Sequence, residues 1–154
     1  MKSQIAGKYN KLSVKPRKDG ILSHVMGILM HGLLVFLGGG VGSLARYACQ
    51  LLLPVGNGWS LPTLSANFLS SLMLGFLAGS QSRYPVSANA WLLLATGFCG
   101  GFSTFSTLML ENWQALRFGK WAIAFLYTGC SLLLGLLAIA FGFFLGSRII
   151  RTLG

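Results

Sequence analysis

Four stretches of this chain are almost wholly apolar and contain no Asp, Glu, Lys or Arg: 21–45, 61–80, 88–110 and 121–146. Each reaches the ~20 residues that an α-helix, rising about 1.5 Å per residue, needs to cross the hydrocarbon core of a bilayer. The segments between them hold the turn formers and the charges. Pro54 to Ser60, with Gly56, Asn57 and Gly58, reads as a turn, Gln81 to Asn89, with Arg83 and Pro85, as a loop, and Arg117 to Lys120 as a short turn. The pattern predicts an all-α membrane protein with helices at about 26–53, 61–80, 90–113 and 121–146, forming one transmembrane domain over 21–154. Residues 1–20 are polar and basic with no hydrophobic period, and read as a disordered tail. The apolar run behind them continues into the first helix without a small-residue cleavage site, which argues against a signal peptide. Met26 and Met30 stand where that helix is expected to begin and could serve as translation starts.

Composition agrees with the pattern. Of 154 residues 54% are hydrophobic and only 9% charged, where a soluble domain carries about a quarter of its residues as charges. The net charge of +10 comes from 12 Lys and Arg against 2 acids. Six of the twelve, Lys2, Lys8, Lys11, Lys15, Arg17 and Lys18, lie in the tail, and the others mark helix ends. That placement suits anionic headgroups and leaves no basic surface to grip nucleic acid. Without the tail, Arg83, Arg148 and Arg151 on one face balance Arg46, Arg117 and Lys120 on the other. By the positive-inside rule such a core inserts either way up, which permits an antiparallel homodimer. Counting the tail, the balance instead favours cytoplasmic termini. Cys49, Cys99 and Cys130 lack metal-ligand spacing and carry no redox argument.

Catalytic groups are scarce. The only acids are Asp19 in the tail and Glu111 at the end of the third helix, and His24 and His31 have no acidic or cysteine partner at helical spacing, so an enzyme is not expected. Polar groups inside the helices are more telling. Helix two carries Thr63, Ser65, Asn67, Ser70 and Ser71, and helix four carries Tyr127, Thr128 and Ser131. Taken one at a time, these read as interhelical hydrogen bonds. Gly38 and Gly42, like Gly97 and Gly101, are small residues four apart that let helices approach closely. No strand or Lys-Ser/Thr pair accompanies Gly38–Gly42, so a phosphate loop is not indicated.

The run from Gly97 to Thr107 stands apart, because its features need one another. Gly100 and Gly101 permit a helix break, the break frees backbone carbonyls and amides, and Ser103, Thr104, Ser106 and Thr107 supply hydroxyls at the same depth. Freed carbonyls can hold a hard cation, and hydroxyls with an amide can replace water around a small anion. Phe102 and Phe105 flank these groups, and an aromatic edge is positive enough to face an anion. Arg46 would add positive potential at the entrance.

Three ordered motifs then resemble the small fluoride channels called Fluc or CrcB: Gly38 to Tyr47, Pro62 to Phe68, and Thr96 to Thr107 with Glu111 beyond. The likeness covers about Gly32 to Gly146. It implies a passive exporter of fluoride in the cell (plasma or inner) membrane, built as an antiparallel dimer with a structural Na⁺ at the interface. The membrane potential, about 2.3 kcal/mol per charge per 100 mV, would drive the anion outward. Position by position, Asn67 resembles the pore asparagine and Phe105 the first of two pore phenylalanines. Gly100 and Ser103 resemble the residues whose backbone carbonyls hold Na⁺. Thr104, Ser106 and Thr107 are similar to the hydroxyls of the helix break, Tyr127 and Ser131 to the polar track of helix four, and Arg46 and Glu111 to the helix-end charges.

Two residues depart from that pattern. Leu108 stands where the second pore phenylalanine is expected, and Ser70 stands where many relatives have glycine. Leucine lacks an electropositive edge, so the chain either conducts with one ring or pairs with a different subunit in a heterodimer. A non-conducting partner subunit is thus one alternative. A small multidrug transporter is another, although such a protein needs a membrane carboxylate in its first helix, where this chain has none.

Overall fold

The structure, a computed structural model, describes residues 18–56, 59–81 and 85–152. Arg83 and the basic residues up to Arg17 lie outside the described residues. The described chain is helical: α1 (Lys18–Leu52), α2 (Leu61–Ser80), α3 (Ala88–Trp91), a π-helical stretch (Leu92–Cys99), α4 (Gly100–Phe102), α5 (Phe105–Arg117) and α6 (Trp121–Thr152). Among the described residues four helical spans are long and apolar enough to cross a membrane, Ala88–Arg117 counting as one. This is a multi-pass membrane protein.

Helix α1 begins at Lys18, ahead of both the expected start near residue 26 and the end of the expected tail at residue 20. The apolar run opens at Ile21, and the first turn of a helix starting there draws its acceptors from the residues before it. Ser23 Oγ, for instance, donates to Gly20 O at 3.1 Å. Helix α6 likewise runs past Gly146 to Thr152.

By compactness the chain divides into residues 1–30 and 31–154. In the first unit the described residues form the opening turns of α1, and nearly all the side chains described there are exposed. The second unit holds a bundle with two glycine seams. Gly38 and Gly42 of α1 face the third span so closely that a Cβ on either would strike its backbone, at Leu93 O and Phe98 O respectively. Gly97 and Gly101 answer from the other side, against the backbone around Gly38 and Gly39. On the second seam Gly75 and Gly79 of α2 meet Ile139 and Phe143, while Gly142 and Gly146 of α6 meet Leu72 and Phe76. A bilayer offers no hydrophobic drive for helices to associate, so close backbone approach and van der Waals contact hold such seams together.

The third span breaks at Ser103 and Thr104, not at the glycines. Both residues are extended (ψ 156° and 115°), whereas Gly100 and Gly101 remain helical. Gly101 is needed for close approach to Gly39, and the break falls where side chains can take over the orphaned backbone groups.

Candidate functional site

Thr104 organises the break. Its amide donates to Asn67 Oδ1 at 2.7 Å, and its carbonyl accepts from Asn67 Nδ2 at 3.2 Å. One carboxamide from α2 thus satisfies both backbone groups of the residue that has left the helix. The Thr104 hydroxyl then caps α5, accepting from Thr107 N at 3.2 Å and donating to Thr107 Oγ1 at 2.9 Å. Such a cap is worth about 1 kcal/mol. Ser70, one turn beyond Asn67, donates to Cys99 O at 2.9 Å, as does Ser103 Oγ. Helix α2 therefore clamps the third span on both sides of the break.

The break also frees carbonyls. In an unbroken helix the amides of Thr104, Phe105, Ser106 and Thr107 would serve Gly100 O, Gly101 O, Phe102 O and Ser103 O in turn. None of those four bonds forms, Thr104 N going to Asn67 and Thr107 N to the Thr104 hydroxyl, so four carbonyls, Gly100 O and Ser103 O among them, are released from their helical donors. Arg46 reaches Ser103 O with a long 3.4 Å bond. Its half-buried guanidinium therefore reaches from the C-terminal part of α1 to the break.

A cavity of about 380 Å³ opens against the break. Asn67, Ser103, Thr104, Phe105, Leu108 and Ser131 line it, with apolar residues of α6 opposite. Five of the eight residues expected in the pore come together there. The two ring positions behave differently: Leu108 is buried, with 3% of its surface exposed, and Phe105 stands outward with 68% exposed. The hydroxyl of Ser131 donates to Tyr127 O at 2.7 Å and so is turned to its own helix in this arrangement. Ser106 and Thr107 belong to the cap, Ser106 Oγ lying 3.3 Å from Thr104 Oγ1.

Tyr127 and Glu111 form a second polar centre. Glu111 does not end a helix as expected, because α5 continues to Arg117. Its carboxylate is held within the span by Thr63 Oγ1 at 2.8 Å and by Tyr127 OH at 2.7 Å. The pairing Thr63–Glu111–Tyr127 was not apparent in the sequence, although each residue was a candidate alone. Ser60, which lies 3.0 Å from Thr63 Oγ1 and caps α2, completes the cluster. A smaller cavity of about 180 Å³ adjoins it, lined by Trp59, Ser60, Glu111, Gln114, Ala115 and Lys120 among others. Two hydroxyl donors to one carboxylate replace part of its lost hydration, and each charge-assisted bond is worth about 1.5–3 kcal/mol. Tyr127→Phe should therefore lower unfolding stability in detergent by about 2 kcal/mol. An unchanged thermal midpoint would show that the bond carries no weight.

Among the described residues no group of three or more His, Cys, Asp or Glu side chains is placed to hold a metal. Backbone carbonyls are the cation ligands on offer, and the break frees four of them, Gly100 O to Ser103 O.

Comparison with known proteins identifies the family. Residues 33–143 match the family model described as CrcB-like protein, Camphor Resistance (CrcB). The chain belongs to the CrcB family. A relative from Pyrococcus abyssi is 40% identical over 117 residues, covering 75% of this chain and 95% of its own length. One from Bacteroides fragilis is 39% identical over 119 residues (74% and 94%), and one from Gloeothece citriformis 41% over 118 (75% and 96%). All three are named fluoride-specific ion channel FluC. CrcB relatives therefore span all but the ends of this chain, and the break, its asparagine clamp and the second polar centre fall within the matched region.

Proposed function

We propose that this protein is a fluoride channel, not an enzyme, and that it carries the anion passively out of the cell across the plasma or inner membrane. The observation that carries this reading is the break itself. One amide, several hydroxyls and an outward-standing phenylalanine gather around a cavity at mid-helix, in a chain about 40% identical to proteins named for fluoride conduction. Asn67 spends one of its two N–H groups on Thr104 O, which leaves the second for an anion in the cavity. The aromatic edge of Phe105 and the charge of Arg46 favour an anion over a cation.

The pore assembles between two copies of the chain in this reading. Phe105 is largely exposed although it lines the cavity, and a second copy packed there antiparallel would cover it. The freed carbonyls of Gly100 and Ser103 suit a structural Na⁺, since a hard cation takes oxygen ligands, and a two-fold axis would double their number. Bound there, Na⁺ would offset the partial negative charge of carbonyls that no amide serves. The residues of this chain that hold and release fluoride remain Asn67, Phe105 and the hydroxyls.

Leu108 supports a second reading, in which the chain conducts only with a different subunit that supplies the missing ring.

In a bacterium stripped of fluoride export, expression of this chain should restore growth in acidic medium containing fluoride and lower cytoplasmic fluoride. Membrane-inserted protein that changes neither would overturn the proposal.

A further inference from the structure

Five polar side chains line the larger cavity: Asn67, Ser71, Ser103, Thr104 and Ser131. Four of them are held by the protein itself. Asn67 is bound to both backbone groups of Thr104, Ser103 Oγ to Cys99 O, the Thr104 hydroxyl to Thr107 and Ser131 Oγ to Tyr127 O. Ser71 differs. Its side chain is half-buried, and its hydroxyl makes no hydrogen bond to any described residue. A serine within a helix either turns back to a carbonyl of the preceding turn, as Ser131 and Ser80 do, or points out of the helix. Ser71 does the second, and it points out at the cavity wall. The interhelical bond expected of it from sequence does not form.

Ser71 follows Asn67 by four residues, so the two share a face of α2 one turn, about 6 Å, apart. Gly135 of α6 stands opposite in the same wall. A Cβ there would lie 3.6 Å from Ser71 Oγ, so the missing side chain leaves the hydroxyl uncovered. The wall around it is otherwise apolar, with Leu132, Leu136 and Ile139. An ion that gives up water in such surroundings needs a hydrogen bond in return, and conduction needs several weak sites in place of one tight one. We propose that Ser71 is a further fluoride site, donating its O–H to the anion one helical turn from Asn67 and handing it on to the free Asn67 N–H. This rests on the fluoride-channel reading above.

The test is fluoride efflux from liposomes containing the purified full chain, read beside thermal unfolding in detergent. Wild-type efflux comes first: its absence overturns the channel reading and this inference with it, whereas the variants bear on Ser71 alone. Ser71→Ala removes a single oxygen and should slow efflux about tenfold, the loss of one hydrogen bond to a charged group. Its unfolding midpoint should not move, because the hydroxyl bonds to no described protein group. Ser71→Thr keeps the O–H, shared between two rotamers in a helix, and should stay within about threefold of wild type. Adding Gly135→Ser to Ser71→Ala supplies a hydroxyl from the facing wall and should recover most of the lost flux. A serine that only holds helices together would lower the midpoint along with the flux. The proposal is overturned by that result, by a Ser71→Ala variant that conducts like wild type, or if neither hydroxyl-bearing variant conducts better than Ser71→Ala.

Discussion

Asn67→Asp should reduce fluoride flux by about three orders of magnitude while the protein still folds and elutes as one species. The substitution keeps the acceptor that receives Thr104 N, so the break retains one of its two clamps. It replaces the donor to Thr104 O with a second carboxylate oxygen and brings a negative charge to the cavity wall. Two like charges about 4 Å apart at an effective dielectric near 20 repel by about 4 kcal/mol, close to a thousandfold in rate. Flux within tenfold of wild type would remove Asn67 from the path.

Gly42→Val should destabilise the folded protein by about 3 kcal/mol or more, the upper range for overpacking. Its Cβ would enter the backbone of the third span at Phe98 O and Phe102 N, and backbone cannot rotate away as a side chain can. The seam would open at the level of Gly101 and Gly39, next to the break. Gly129→Ala provides the contrast, because nothing lies within 4 Å of a Cβ there. That variant should gain a few tenths to about 1 kcal/mol from helix propensity. Thermal unfolding in detergent distinguishes them, and equal midpoints would mean that the seam is not closely packed.

The spans were legible because uncharged runs of bilayer length admit few other structures. Asn67, Thr104 and Phe105 were legible as well, since an amide and hydroxyls in apolar helices need a reason. The position of the break was not. Gly100 and Gly101 looked like the breaking residues, but the glycines serve the contact with α1, and the break follows the side chains able to satisfy it, Asn67 and Thr104. That pairing joins residues 37 apart and no local pattern announces it. Glu111 looked like an end charge because the expected third helix stopped too soon; once α5 runs to Arg117 it falls inside the span, held by Thr63 and Tyr127. Arg46 stands toward the end of α1 as expected, but its reach to Ser103 O on another span could not be read from local pattern. Gly75, Gly79, Gly142 and Gly146 were readable as small residues four apart, on the same rule that picked out Gly38 and Gly42. Ser71 read as one more interhelical bond, since only packing reveals that its hydroxyl faces the cavity without a partner.

The central claim is that this chain by itself conducts fluoride selectively. The most direct measurement loads liposomes containing only this protein with potassium fluoride or potassium chloride, imposes a potassium gradient, and adds valinomycin while an ion electrode follows anion release. The account predicts prompt fluoride release with chloride retained. Fluoride held as firmly as in protein-free liposomes, or chloride released just as fast, would contradict it.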